Sequence, residues 1–222
     1  MSEKPSSVTP RQGRKSPRPE QARSVERRGQ LLTGAIRLLL SGGVTAVTHR
    51  GVAEESNSSP GAVRYYFRTS EDLLAACLEE IERIRAAEAE RIIDFLGRGE
   101  AVDADRAARL LFRTYYGPAV DDATVTGTTW SIVDCGRESS RLAQMLGQHR
   151  QTANRQMEEV LRFCGYPALK SSLAAAVMEG GVLTATVEGG TPVAECAAAG
   201  LAEILQLLAS RQTEDSDERR LH

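Results

Sequence analysis

The chain has 222 residues, 41% of them apolar and 26% charged, with a net charge of −2; this is an ordinary globular composition, long enough for one or two packed units. The opening residues lack the apolar stretch of a signal peptide, and no run approaches the roughly 20 apolar residues of a membrane span, so a cytoplasmic protein without a membrane partner is expected. The four cysteines, Cys77, Cys135, Cys164 and Cys196, are far apart and only three histidines are present, which argues against a disulfide framework, a metal site or a cofactor cluster.

Charge is unevenly placed. Residues 1–28 hold eight basic and three acidic side chains, a balance that suits either an anionic partner or a solvated leader. Residues 1–19 also contain Pro5, Pro10, Pro17 and Pro19 and too little apolar surface to offset the entropy of ordering, so a disordered basic leader is expected. The mostly acidic tail, 211–222, is expected to be disordered as well.

A first helix is predicted from about Glu20 to Leu40, with Leu32, Ala35, Ile36 and Leu39 on one face and Gly42-Gly43 as its stop. Thr48 is placed to cap a short helix over about His49–Ser56. Asn57-Ser58 forms the turn, and Asn tolerates the left-handed backbone such a turn needs. Ser59 caps a third helix with Pro60 at its first position, where a missing N–H costs nothing. Thr69 or Ser70 caps a long fourth helix, with Glu71 and Asp72 in its first turn and a stripe of Leu74, Leu78, Ile81 and Ile84. Further helices are predicted at about 103–116, 122–136, 138–164, 167–187 and 192–210. About nine helices and no strand make an all-α chain. Its parts are the leader 1–19, a three-helix head 20–69, a larger helical body 70–210 and the tail 211–222.

The stretch Thr48–Phe67 reads as short helix, tight turn, short helix. Val52, Ala53, Val63 and Phe67 are expected to pack inward. Thr48, His49, Arg50, Ser58, Ser59, Arg64, Tyr65 and Tyr66 are expected outward, as a face of hydroxyls, phenols and guanidinium with no acid on its second helix. Such a face suits phosphate oxygens and base edges, and the free N–H groups opening each helix add to it.

The segment GAIRLLLSGGVTAVTHRGVAEESNSSPGAVRYYFRTSEDLLAACL resembles, in order and spacing, the N-terminal domain of the TetR family of transcriptional regulators. The resemblance implies a helix-turn-helix DNA-binding domain on a helical body that dimerises through its last two long helices and holds an effector cavity among the middle ones. By position it puts phosphate contacts on Thr48, Ser59 and Tyr65 and recognition contacts on Gly61, Ala62, Arg64 and Tyr66. The family often has Tyr, His and Lys where this chain has Arg64, Tyr66 and Ser70, so the operator sequence is not carried over. The function implied is a repressor that binds palindromic double-stranded DNA as a homodimer and is released by a small, largely apolar effector. A body under cysteine control, or one without a ligand, is the alternative. No G-x-S-x-G, P-loop, Rossmann or H-E-x-x-H pattern is present, so no enzyme is expected.

Candidates for an effector pocket are Trp130, the only tryptophan, His149 on the apolar stripe of the 138–164 helix, and Phe112, Tyr115, Met145 and Met157; each is equally at home in a core. Cys135 lies near Arg137 in sequence, which would lower its pKa under the redox alternative. The segments 168–187 and 192–210 are rich in small residues. With Leu183, Val187, Leu201, Leu205 and Leu208 they are candidates for an intersubunit four-helix bundle or an intrachain hairpin.

Overall fold

The computed structural model describes residues 19–118 and 121–220; most of the basic leader and the last two residues of the tail lie outside them. Among the described residues there are nine α-helices and no strand.

Helix α1 (Pro19–Gly42) stops where Gly43 takes a φ of 70°, a left-handed conformation that costs glycine nothing. A single 3-10 turn, Val44–Ala46, then leads into α2 (His49–Glu55). The Thr48 hydroxyl caps α2 by accepting from the Gly51 N–H at 3.0 Å. Asn57 makes the turn at φ 47°. Ser59 caps α3 (Pro60–Tyr66), with Pro60 in the first turn. Phe67 leaves α3 with extended backbone, and α4 (Ser70–Leu96) opens on a reciprocal capping box between Thr69 and Asp72.

These helices close one core. Leu31, Leu39, Val47, Val52, Val63 and Phe67 are buried against Leu73 and Leu74 of α4. Leu78 continues the stripe inward, but Ile84, expected to do the same, is exposed.

The body adds α5 (Ala104–Tyr116), α6 (Asp122–Glu138), α7 (Ser140–Phe163), α8 (Ser171–Glu188) and α9 (Val193–Arg220). Asp103, Asp121 and Ser139 cap the first three. Helices α4, α5, α7, α8 and α9 surround a second core centred on Leu111, Met157, Leu161, Met178, Leu201 and Leu205. Cys135 of α6 and Leu142 of α7 enter the head's core instead, so head and body share packing beyond the α4 connection.

Two boundaries differ from expectation. Helix α8 begins at Ser171 rather than near 167, because Tyr166 and Leu169 turn into the core ahead of it. Helix α9 runs on to Arg220, past the expected end at 210. No Gly or Pro follows Gly200, and Gln, Glu and Arg are good helix formers.

Val193–Arg211 has a mean hydropathy of 1.4 and the length of a membrane span, contrary to the reading that no run approaches one. One stripe of it packs inward, with Ala197, Leu201 and Leu205 fully buried against α5 and α8, while most of its residues are not buried. Leu201 and Leu205 therefore fill the chain's own interior rather than an intersubunit seam. Leu173, Leu183 and Val187 of α8 and Leu207 of α9 are the large apolar side chains exposed on the described part of this pair.

Candidate nucleic-acid interface and effector cavity

The outward face of the head is built by α2 and α3. Arg64 and Tyr65 are exposed, Tyr65 at 79%, and α3 carries no acidic residue. Thr48, Arg50, Ser59 and Gly61 are exposed beside them, and Ala62 is half-buried. The Thr48 and Ser59 oxygens are engaged as caps, but each hydroxyl retains its proton to donate to a phosphate. Arg50 pairs with Glu54 at 2.8 Å along α2. A methyl at Gly61 would meet only the Ser59 hydroxyl, at 3.9 Å, so nothing within the chain requires glycine there.

Three residues expected on this face turn inward. His49 Nε2 lies 2.7 Å from the carbonyl oxygen of Phe67, tying the start of α2 to the end of α3. The Ser58 hydroxyl is buried. Tyr66 packs on the head's core, and its hydroxyl reaches Ser24 of α1 at 3.2 Å. Arg28, which lies outside the expected set, sits over the Phe67 ring at 5.0 Å.

A cavity of about 80 Å³ lies between α4, α5, α6 and α7. Leu78, Ile81, Ile132, Leu146 and Ala153 form its apolar wall; Glu82, Arg85, Tyr115, Tyr116, Thr128, Ser131, His149 and Arg150 supply the polar groups. Arg85 makes four hydrogen bonds. Its Nε and Nη2 donate to both Glu82 oxygens at 2.7 Å, Nη1 to the Thr114 carbonyl at 2.8 Å, and Nη2 also to Gln156 at 2.7 Å. Arg150 donates to the Glu179 carboxylate and to the Tyr115 hydroxyl, and its guanidinium lies 5.2 Å from the Tyr115 ring centre. Burial pushes the Tyr115 phenol well above its usual pKa, with the Glu179 charge adding to the effect. Burial likewise holds His149 below the ordinary imidazole value.

Of the six pocket residues expected from sequence, His149 and Tyr115 line this cavity. Phe112 and Met157 are buried in the body's core, and Met145 packs against the head's core. Trp130 is 46% exposed and lies in an open groove between the end of α1 and α6, not in the cavity. The structure also adds Arg85, Glu82 and Thr128, none of which sequence reasoning selected. The spacing of Glu82 and Arg85 marks a helical ion pair, but not its burial.

Cys135 does not meet the premise of the cysteine-control alternative, which needs a lowered thiol pKa. Cys135 is fully buried, and burial raises its thiol to about 11; the neighbouring charges that count are Asp134 and Glu138, not Arg137. Cys77, also buried, is pushed up to about 12. Both thiols are thus held protonated, which disfavours reaction with oxidants. Among the described residues no group of three or more His, Cys, Asp or Glu side chains is placed to hold a metal ion.

Helix α6 presses directly on α1. A Cβ at Gly127 would fall 2.1 Å from the Leu40 carbonyl oxygen, and the Ser131 hydroxyl approaches the Leu39 carbonyl at 3.4 Å. Ser131 also lines the cavity.

Residues 31–77 match the family model described as bacterial regulatory proteins, tetR family. No curated protein matches the chain. Among solved structures, the fold is similar to a candidate transcriptional regulator from Saccharomonospora viridis in complex with choline, with a TM-score of 0.64, 15% identity, and 82% of this chain and 96% of the other covered. It is similar to a TetR transcription regulator from Haloarcula marismortui, with a TM-score of 0.61, 18% identity and coverage of 82% and 98%. It also resembles the multidrug binding protein EbrR complexed with proflavin, with a TM-score of 0.55, 22% identity and coverage of 82% and 99%.

Proposed function

We propose that the chain, whose residues 31–77 match the tetR family of bacterial regulatory proteins, is a DNA-binding transcriptional regulator of that family, a repressor acting as a homodimer on a palindromic operator and released by a small-molecule effector. The observation that carries this reading is the face of α3: Arg64 and Tyr65 exposed, flanked by the hydroxyls of Thr48 and Ser59, with no acid on the helix. Arg64 reads a base edge, since guanidinium pairs bidentately with guanine. Tyr65, Thr48 and Ser59 hold phosphates.

One such helix reads only a few base pairs, so specificity calls for two heads, with half-sites about 34–36 Å apart or a multiple of that. The exposed Leu173, Leu183 and Val187 of α8 and Leu207 of α9 supply an apolar seam for the pair. The cavity supplies the effector site. Two proteins of the same fold bind choline and proflavin, which supports a small molecule in that role.

Selection of bound DNA from a random pool tests the reading. An enriched inverted repeat is expected. Arg64→Ala should weaken it by about 1–3 kcal/mol and relax the preference at one position per half-site. Tyr65→Phe should weaken specific and non-specific DNA alike, by about 1 kcal/mol. A pool without enrichment, or one enriched identically by Arg64→Ala, would refute the assignment.

A further inference from the structure

We infer that the cavity between α4 and α7 takes a neutral, compact, mostly apolar molecule, the size of a single aromatic ring, whose one hydroxyl-type group hydrogen-bonds to His149. This deepens the effector assignment and rests on it only for the consequence of binding, not for binding itself.

Charge comes first. The cavity walls hold two cations, and each is already matched. Arg85 is spanned by the Glu82 carboxylate and further held by Gln156 and the Thr114 carbonyl. Arg150 is matched by Glu179 at 2.6 Å. Of the two tyrosines on the cavity wall, Tyr115 already carries the Arg150 guanidinium, and the Tyr116 ring packs against Phe112 and Tyr115. An incoming ion would shed its water without gaining an unpaired countercharge, and such desolvation is costly. A neutral molecule meets no such cost.

The polar handle comes next. Among the described residues His149 has no hydrogen-bond partner within the chain, although it lines the cavity and is half-buried. Burial is the main influence and lowers its pKa, opposed by Glu82 and more weakly by Glu79 and assisted by Arg85, so the net effect favours the neutral ring. A neutral imidazole offers one donor and one acceptor, which suits a hydroxyl. Thr128, on the facing helix, lines the same space.

Size sets the last limit. A water molecule needs at least about 10–15 Å³ of such space. The cavity of about 80 Å³ therefore holds roughly half a dozen water-sized groups, the scale of one six-membered ring. Leu78, Ile81, Ile132 and Leu146 supply its apolar walls.

Four probes of one ring size, titrated calorimetrically into the full chain, separate these terms: phenol, toluene, benzoate and benzylammonium. Phenol should bind most tightly. Toluene should bind about fivefold more weakly, the worth of one hydrogen bond. Benzoate and benzylammonium should bind at least about thirtyfold more weakly. His149→Leu should bring phenol down to the toluene level and leave toluene unchanged. Glu179→Gln leaves Arg150 without its carboxylate and should raise benzoate affinity about tenfold.

Either ion binding within about threefold of phenol overturns the charge argument. Phenol affinity indifferent to His149→Leu overturns the handle. Phenol that fails to saturate in the low millimolar range overturns the site. Operator release is measured separately. Phenol that binds without releasing DNA removes the effector role and leaves the ligand class standing. An ion that binds the cavity and releases DNA does the reverse.

Discussion

Gly127→Ala asks how tightly α6 is seated on the head. The added methyl would lie 2.1 Å from the Leu40 carbonyl oxygen, 2.8 Å from its carbonyl carbon and 2.9 Å from its Cα. All three are backbone atoms near the end of α1, so no rotamer change relieves the clash. Non-bonded carbon atoms settle at about 3.5–4.0 Å, so the two helices must part by roughly 1 Å. Alanine gains about 1 kcal/mol over glycine inside a helix. Overpacking costs about 1–3 kcal/mol, toward the upper end or beyond where backbone must move. The expected balance is a loss of about 1–2 kcal/mol. At about 2–4 °C per kcal/mol for a chain of this length, Tm should fall by about 2–8 °C. Gly147→Ala on α7 is the control: its methyl meets nothing within 4 Å, so only the propensity gain remains and the variant should be more stable. Melts followed by circular dichroism read both. If Gly127→Ala proves as stable as the parent, the close seating of α6 on α1 is not what holds this joint.

The same reasoning extends to other positions. Gly61→Ala should leave the head as stable or slightly more so, because a methyl there meets no neighbour closer than 3.9 Å, yet operator affinity should fall; unchanged affinity would place Gly61 away from DNA. Hydrogen bonds from the Arg141 side chain and from Thr69 hold the Asp72 carboxyl below its usual range, so its contribution is present at neutral pH and is lost as pH falls through that lowered value. Asp72→Asn should therefore cost stability at pH 7, with the cost shrinking as the solution is acidified through the carboxylate range, and a gap that stays the same on acidification would show that charge is not involved. Val187→Glu, at a site 76% exposed, should leave the fold intact and shift the protein to monomers in light scattering if α8 lines the dimer seam; dimers at micromolar concentration would move the seam elsewhere.

The head was legible because its signals are local. Thr48, Ser59 and Thr69 each accept from a backbone N–H three residues on, and Asn57 needs only its own dihedral. Where the reading failed, distant partners decide. Helices of seven residues make two turns, and a side chain at either end can lean both ways. The Phe67 carbonyl draws His49 in, and Ser24, 42 residues away, draws in Tyr66. Cys135 and Arg137 are neighbours in sequence, but residues two apart on a helix do not share a face, so the charge never reaches the thiol. Trp130 shows the same difficulty for the cavity. Helix α6 has two lined sides, one toward the cavity and one toward the groove beside α1, and apolar spacing does not tell them apart. Leu201 and Leu205 looked like seam residues for a similar reason: α9 is apolar on more than one side.

That two-sidedness of α6 is also what makes it suited to carry a signal. Thr128 and Ile132 line the cavity, while Gly127, adjacent to Thr128, bears on Leu40 of the head. Ser131 belongs to both sides, lining the cavity while its hydroxyl sits 2.6 Å from the Gly127 carbonyl and 3.4 Å from that of Leu39. A molecule that moves Thr128 therefore moves Gly127, and the backbone contact with Leu40 leaves no soft side chain between them to absorb the shift. Helix α4 offers a parallel route, since Leu78, Ile81 and Glu82 line the cavity two to three turns from the Thr69–Asp72 capping box at the head's exit. Coupling of the usual size, about 1–3 kcal/mol, requires only that the ligand prefer one seating of these helices over the other. Under the effector assignment, Gly127→Ala should then do in part what the ligand does: weaken operator binding without ligand, and leave less for a ligand to add.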